Sequence, residues 1–303
     1  MSNLSEVYDI QWFPGHMAKT RRVMKSNLKL VDAVVEILDA RIPYSSSNPE
    51  MDYLVGGKPR LVLLNKSDAA DETVNSMWID YYKRKGVSVL ATDCRSGRNV
   101  KKFSASLNEL LKDDIEKWNT KGMAGRPIRI MIVGIPNVGK SSFINSLAGS
   151  KRAKVEDRPG VTRGKQWVSL DNNMELLDMP GVLWPKFEDK RVGERLAFTG
   201  AVKDQIMDTE YLACRLLEML RESYNEALCE RYKIETDDIP DNDDESAGCV
   251  VGFEILERIG AKRGFKIKGG DIDTERAAIM VLDEFRGGKI GRFSLERPSD
   301  ITR

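Results

Sequence analysis

The chain has few aromatic residues, few cysteines and almost no net charge. Phe, Trp and Tyr make up 7% of its 303 residues, but 41% are hydrophobic, which is too many for a disordered chain. The four cysteines lie far apart without a CxxC pair, which argues against a disulfide framework or a zinc ribbon. The formal net charge is +1, so affinity for nucleic acid would require local basic patches.

Long apolar runs and fixed-period repeats are also missing. No run approaches the roughly 18 apolar residues of a membrane span, and no repeat indicates a solenoid. The first residues include Glu6 and Asp9 and have no arginine before Arg21, unlike a secretory signal or a transit peptide. We therefore expect a soluble protein of the reducing cytoplasm.

The first half alternates short runs of Val, Ile and Leu with amphipathic stretches. Such runs predict buried strands at Ala33–Leu38, Leu61–Leu64, Val87–Ala91, Ile128–Val133, Gln166–Leu170 and Met174–Leu177. Helical spacing occurs at Thr73–Lys85, Val100–Trp118 and Lys140–Leu147. This alternation predicts an α/β domain over 1–185, with a mainly parallel sheet between helices. The last two strands surround a turn at Asp171–Asn173 and predict a hairpin.

The pattern becomes helical from about residue 190. Apolar residues with helical spacing include Leu212, Leu216, Leu217 and Leu220, then Phe253, Leu256 and Ile259, then those of Ala277–Phe285. This spacing predicts an all-α domain over 190–303. The acid-rich segment Glu235–Glu245 is most simply a solvated loop.

Residues 134–141, GIPNVGKS, match the phosphate-loop pattern GxxxxGK[ST] and lie between a predicted strand and a helix. Glycines allow successive backbone N–H groups to point at a polyphosphate, and Lys140 adds a cation. The Ser141 hydroxyl is a candidate Mg²⁺ ligand. The phosphate-binding candidates are Asn137, Val138, Gly139, Lys140, Ser141 and Ser142.

Two further elements suit the metal side of such a site. Asp178-Met179-Pro180-Gly181 follows a predicted strand and has the form DxxG. There Asp178 would hold Mg²⁺ through water, and the Gly181 N–H would face the γ-phosphate. The loop RPGVT before it contains Thr162, a candidate Mg²⁺ ligand once that loop closes.

The motif Asn65-Lys66-Ser67-Asp68 indicates which base is bound. Guanine presents two parallel N–H donors that the Asp68 carboxylate can accept, whereas adenine offers no such pair. Asn65 would join this loop to the phosphate side, and Lys66 would lay its stem over the base. Together the three motifs predict a site for GTP and GDP, and a metabolic ATP kinase is a poor alternative.

The order of the motifs is unusual, because NKxD at 65–68 precedes the phosphate loop. Ordinary small GTPases run phosphate loop, switch loop, DxxG and NKxD. Joining the natural termini of such a domain and reopening it elsewhere gives the order seen here. The Gly- and Pro-containing segment Asn119–Pro127 would then be the joining segment.

With these motifs, and with Trp12–Met17 (WFPGHM) and Asp39–Pro43 (DARIP), nearly the whole chain resembles the YlqF/RbgA family of circularly permuted GTPases. The resemblance implies a Ras-like P-loop fold with an RNA-binding helical C-terminal domain. It also implies a role in late assembly of the large ribosomal subunit. The last base-contacting motif departs from the usual Asn/Ser-Ala-Lys type and reads Asp93-Cys94-Arg95, where the Cys94 N–H is the candidate donor to guanine O6.

The resemblance also bears on catalysis. Val182 stands where Ras-like enzymes carry the glutamine that orients water. The matching histidine of the family is held to be catalytic, which assigns that role to His16, the one histidine of the sequence. Asn137 matches an asparagine that helps related GTPases bind K⁺ beside the phosphates.

Candidate RNA contacts lie in two basic stretches. His16–Leu30 carries a local charge of about +5, and Arg258–Arg292 carries about +4 with Phe265 and Phe293 as candidate base-stacking residues. Ordinary solvated helix faces remain an equal alternative. The expected partners are the precursor of the large subunit and its rRNA, not DNA or a membrane. A nucleotide-gated RNA-binding adaptor with incidental turnover is the second functional hypothesis.

Overall fold

The computed structural model describes residues 22, 24–148, 154–156, 166–170, 173–178, 189–202, 208–241 and 249–301. These residues form two compact units. An α/β unit contains the described residues up to 178 together with 296–301, and a helical unit contains those from 189 to 295.

The α/β unit is built on a seven-stranded sheet in the order β3-β2-β1-β4-β7-β6-β5. Its strands are β1 (Ala33–Asp39), β2 (Arg60–Asn65), β3 (Ser88–Ala91), β4 (Ile128–Val133), β5 (Lys154–Glu156), β6 (Gln166–Leu170) and β7 (Met174–Asp178). The pairs among β3, β2, β1, β4 and β7 are parallel, and β7-β6 and β6-β5 are antiparallel. All six predicted strands are confirmed, and the short β5 was missed.

The sheet order confirms the circular permutation. The phosphate-loop strand β4 is fourth in the chain but lies at the centre, between β1 and β7. If the strands are counted from β4, the hairpin β6-β7 comes next and β1, β2 and β3 follow, which is the conventional motif order. The joining segment is held against the hairpin, because Asn173 Nδ2 donates to the carbonyls of Gly125 and Arg126 at 2.9 and 3.2 Å.

Helices of the described α/β unit include α1 (Pro43–Ser46), α2 (Met51–Val55), α3 (Glu72–Arg84), α4 (Phe103–Leu110), α5 (Lys112–Thr120) and α6 (Lys140–Ala148). The last four lie at predicted amphipathic stretches, whereas the short helices α1 and α2 were not predicted. Asp71 caps α3 by accepting the N–H groups of Thr73 and Val74. The single helix predicted at Val100–Trp118 is instead a 3₁₀ turn followed by α4 and α5, which meet at Leu111.

The last residues return to the α/β unit, which the predicted domain boundary did not anticipate. Glu296 is 2% exposed and its carboxylate accepts the N–H groups of Tyr44 and Ser45 at 2.8 to 3.2 Å, together with the Ser45 hydroxyl. Its carbonyl accepts the Trp78 indole N–H at 3.0 Å. Ile301 packs against the apolar cluster around Trp78. The helical unit therefore ends at Leu295 rather than at the end of the predicted 190–303 domain.

The helical unit contains α7 (Lys190–Phe198), α8 (Thr209–Tyr232), α9 (Val250–Arg263) and α10 (Thr274–Arg286). The predicted leucine stripe of α8 is confirmed, with all four leucines buried. Gly252 of α9 lies directly on α8, because a Cβ there would come within 2.2 Å of the Cys214 carbonyl oxygen. The two helices therefore approach each other at backbone distance.

Two aromatic side chains differ in exposure from what the sequence predicted. Phe253 was predicted to share a helix face with Leu256 and Ile259, but it is 42% exposed whereas those two are buried. Phe293 was a candidate base-stacking residue but is 2% exposed, and its ring lies 4.9 Å from that of Tyr224. Its burial argues against base stacking, because a base needs at least one exposed face of the ring to stack on.

The described part of the acid-rich segment is tied to helix arginines. Asp238 pairs with Arg258 at 2.6 Å, and Asp241 pairs with Arg221 at 2.7 Å. Thr236 and Ile239 of the same segment are buried. The segment from 235 to 241 is therefore a packed loop rather than a purely solvated one.

None of the helices among the described residues is both long enough and apolar enough to cross a membrane.

The contacts of Glu296 give a prediction for stability. Glu296→Ala should lower the free energy of unfolding of the α/β unit by about 3 kcal/mol, because buried N–H groups lose a charged acceptor. Glu296→Gln keeps one carbonyl acceptor and should cost less. Urea unfolding followed by tryptophan fluorescence is selective, because all five tryptophans precede residue 187. The control is Glu116→Ala, at an exposed position on α5, and an equal effect of both alanine variants would contradict the role of Glu296.

Candidate guanine-nucleotide site

The predicted motifs converge at one edge of the parallel sheet. In the sheet register, Asp39 at the end of β1 lies opposite Asn65 at the end of β2. On the other side of β4, Asp178 at the end of β7 lies opposite Ile132, just before the phosphate loop. The carboxyl ends of parallel strands are where ligands bind in open α/β sheets.

The phosphate loop connects β4 to α6, as predicted. Lys140 Nζ donates to the carbonyls of Gly134 and Ile135 at 3.0 and 2.9 Å, so the lysine closes the loop over its own backbone. Asn137 has a left-handed φ of 58° and is exposed. Ser141 and Ser142 are exposed in the first turn of α6, where free N–H groups and the helix dipole favour an anion.

Asn65 joins three loops through one side chain. Its Nδ2 donates to the Val138 carbonyl of the phosphate loop at 2.8 Å, and its Oδ1 accepts the Cys94 N–H at 3.1 Å. Asn65 is 3% exposed and Val138 is 1% exposed. The predicted role of Asn65, tying the base loop to the phosphate side, agrees with this geometry.

Gly139 is the position where the two loops come closest. Its φ is 101°, and a Cβ there would lie 2.2 Å from Asn65 Nδ2. Any side chain would therefore strain the backbone and push Asn65 off the phosphate loop. The glycine of the motif is therefore required here by the neighbouring Asn65 side chain.

Asp68 and Lys66 lie beside this bridge, each with an ionic partner that the motif does not predict. Asp68 pairs with Arg95 at 3.1 Å, and the Arg95 side chain is 76% exposed. Lys66 Nζ pairs with the buried carboxylate of Asp39 at 2.9 Å. Sequence reasoning quoted Asp39 only as part of the family resemblance, and it missed Arg95 as a partner.

Cys94 does not take the role expected for it. The N–H predicted to bind guanine O6 donates to Asn65 Oδ1 instead, because Cys94 lies next to the base loop after β3. The next two N–H groups, of Arg95 and Ser96, donate to the Asp93 carboxylate at 2.9 and 3.2 Å. Burial raises the pKa of the Cys94 thiol to about 12, so it stays protonated at neutral pH.

The metal-side residues that the structure describes are suited to Mg²⁺. Ser141 offers a hydroxyl oxygen in the first turn of α6, and Asp178 stands at the strand end next to the phosphate-loop strand. Hydroxyl and carboxylate oxygens are the ligands Mg²⁺ prefers, with phosphate and water completing the shell. His16, Thr162 and Gly181 lie outside the described residues.

A family model described as "50S ribosome-binding GTPase" matches residues 129–234. The match begins in β4 and leaves out the base motif at 65–68. This is the expected result when a model of conventional motif order meets a permuted chain.

Similar proteins extend over nearly the whole chain. Ribosome biogenesis GTPase A of Priestia megaterium is 48% identical, over 96% of this chain and 98% of that protein. Mitochondrial ribosome-associated GTPase 1 of Mus musculus is 41% identical, over 95% and 90%. The GDP-bound structure of YlqF from T. maritima superposes with a TM-score of 0.66 at 32% identity, covering 92% of this chain and 100% of that one. With its permuted sheet and its joined base and phosphate loops, the chain is a GTPase that belongs to the ribosome biogenesis GTPase A (YlqF/RbgA) family.

Proposed function

We propose that the chain is a GTP-hydrolysing switch that binds a precursor of the large ribosomal subunit in its GTP state and leaves after hydrolysis. The observation that carries the proposal is the Asn65 bridge, which holds a guanine-type base motif against a phosphate loop. The names of the relatives and the description of the family model support a ribosomal partner. We place the activity in the cytoplasm.

On the base side, Asp68 accepts the two guanine donors and Lys66 covers the base plane. The Asp68–Arg95 pair must open for this, and the high exposure of Arg95 makes that exchange inexpensive. On the phosphate side, Val138, Gly139, Ser142 and Gly181 offer backbone N–H groups, and Lys140 transfers its ammonium from loop carbonyls to the β- and γ-phosphates.

Mg²⁺ is the general cofactor of such GTPases, with Ser141, Thr162 and Asp178 as its protein-side residues in this proposal. Asn137 would help hold a K⁺ ion, since its left-handed backbone places it at the outer rim of the phosphate loop. His16 is the proposed group that positions the attacking water, in the absence of a glutamine after DxxG.

The helical unit is the proposed rRNA-binding element, and the ion pairs of its arginines bear on which cations would contact phosphates. Arg258 pairs with Asp238 and Glu254, while Arg231 and Arg263 both pair with Glu284. Lys262, Lys266 and Lys268, by contrast, are exposed around the end of α9. We therefore assign phosphate contacts to these three lysines rather than to the arginines.

The second candidate function is an RNA-binding adaptor whose affinity depends on the nucleotide but whose turnover is incidental. The exposed lysines suit it equally well. Sedimentation with ribosomal subunits in GDP or in a non-hydrolysable GTP analogue tests both functions. The switch requires co-sedimentation with the analogue and not with GDP, and single-turnover hydrolysis that accelerates when particles are added. Unaccelerated hydrolysis on particles would favour the adaptor.

The first site prediction concerns base selection. Asp68→Asn replaces an acceptor oxygen with a donor that faces the guanine donors. Loss of a hydrogen bond to a charged group costs about 1.5–3 kcal/mol, so GTP affinity should fall at least roughly tenfold. Xanthosine triphosphate, whose C2 carbonyl accepts from the new amide, should be preferred. Titration calorimetry measures both, with the exposed Asp80→Asn on α3 as control. Unchanged GTP binding by the Asp68 variant would refute the assignment.

The second prediction concerns the phosphates and the metal. Lys140→Ala and Ser141→Ala should both abolish hydrolysis, because each removes a contact to the β/γ-phosphates or to Mg²⁺. Ser141→Ala should also weaken GTP binding more than GDP binding. Fluorescent nucleotides give the affinities, and Asn145→Ala, exposed on α6, is the control. Wild-type GTP affinity in both variants would contradict the proposed phosphate site.

The third prediction concerns His16. His16→Ala should keep nucleotide and particle binding but slow particle-stimulated hydrolysis by on the order of 10²-fold, because a water-positioning group acts in the transition state. The variant should also remain longer on the particle. Timed assays of phosphate release measure the rate, and the control is Trp12→Ala, which changes the same sequence motif but keeps the histidine. If His16→Ala retained the stimulated turnover of the wild type, His16 would not position the attacking water. A K⁺ ion or a ribosomal group would then have to support hydrolysis.

A further inference from the structure

Asp39 is a buried carboxylate at the edge of the sheet that carries the base motif. It is 1% exposed and forms the last residue of β1, opposite Asn65. Its Oδ1 accepts the backbone N–H and Nε of Arg41 at 3.1 and 2.9 Å. Its Oδ2 accepts one Arg41 guanidinium N–H at 2.8 Å and the Lys66 ammonium at 2.9 Å. Ser46 Oγ accepts the Asp39 N–H at 3.1 Å, so the strand end itself is held.

The Asp39 carboxyl is ionised at neutral pH. Burial alone would raise the pKa of its carboxyl, but Arg41 and then Lys66 outweigh burial and hold the pKa well below its ordinary value. Arg41 is 1% exposed and contacts both carboxylate oxygens. Arg41 therefore already provides one positive charge against Asp39, and Lys66 adds a second cation on the same carboxylate.

Lys66 is held at both ends of its side chain. At its backbone, φ is 59°, a left-handed conformation that is costly for a residue with a Cβ. At its tip, the ammonium is bound by Asp39, although the side chain is 26% exposed and the ammonium could instead reach water. The four-carbon stem between these two points has little freedom left.

We propose that Asp39 is a positioning residue that stretches the stem of Lys66 into a fixed platform for one face of the guanine base. The inference rests on the proposed guanine site and adds a residue outside the NKSD motif. Without the anchor, Lys66 would have to be ordered when the nucleotide binds, and ordering a long side chain at that moment weakens affinity.

The expected effect follows from the part of the ligand that Lys66 contacts. The base is common to GTP and GDP, so loss of the anchor should weaken both by the same factor. Immobilising one flexible side chain corresponds to roughly a three- to tenfold change in affinity. The ratio of GTP to GDP affinity should not change, in contrast to Ser141→Ala.

A double-mutant cycle tests whether Asp39 acts through Lys66. Asp39→Asn and Lys66→Met, which keeps an unbranched stem but no charge, should each weaken binding of fluorescent GDP and GTP. The double variant should bind as Lys66→Met does, because the anchor has nothing left to hold. A further loss in the double variant, equal to that of Asp39→Asn alone, would overturn the proposal and leave Asp39 a structural residue.

Asp39→Asn leaves the buried Arg41 without its carboxylate partner. If this substitution unfolds the α/β unit, tryptophan fluorescence will report it. Asp39→Glu then replaces it in the same cycle. It keeps a charge for Arg41 but displaces the carboxylate by one methylene. Its loss of affinity should likewise vanish in the Lys66→Met background, and persistence there would overturn the proposal. Asp68→Asn distinguishes failure of the proposed guanine site from failure of the role of Asp39. If Asp68→Asn leaves GTP binding intact, the guanine site itself is refuted. If it weakens GTP binding as predicted while the double-mutant cycle is additive, only the role of Asp39 is refuted.

Discussion

The nucleotide site depends on the Asn65 carboxamide. One group donates to the phosphate loop and accepts from the loop after β3, at 2.8 and 3.1 Å, while it is almost fully buried. A buried amide that loses a partner cannot turn to water, so the three loops keep their spacing as a unit. Gly139 is needed for the same contact, since a Cβ at this position would collide with the Asn65 carboxamide and keep it from the phosphate loop.

Sequence reasoning was most successful where the relevant information is local. The six strands, the phosphate loop and the base motif are contiguous patterns, and the permutation followed from their order. The ion pair between Asp39 and Lys66 was not predictable in this way, because it depends on the register of β1 against β2. The same holds for the Cys94 N–H, whose partner is a side chain 29 residues away, and for Glu296, whose partners are more than 200 residues away.

The charge pattern of the helical unit shows a related limit. A local excess of basic residues between Arg258 and Arg292 looks like an RNA-binding surface in one dimension. In three dimensions acidic residues from the loop after α8 and from α10 pair with two of these arginines, Arg258 and Arg263. A count of charges along the chain is therefore a poor guide to the potential on a surface, since partners arrive from other elements. Phe293 illustrates the same point for stacking, because its buried ring packs against Tyr224, a residue of α8 that is distant in sequence.

The return of the chain to the α/β unit has a consequence for biosynthesis. Tyr44 and Ser45 are translated early, but the carboxylate that accepts their N–H groups belongs to Glu296, about 250 residues further along the chain. At roughly 5–20 residues per second, that interval lasts about ten to fifty seconds. During this interval the nascent chain already contains β1, β2 and β4 but lacks Glu296, which accepts the first N–H groups of α1. The α/β unit of this protein thus completes its hydrogen bonds only after the ribosome has also translated the whole helical unit.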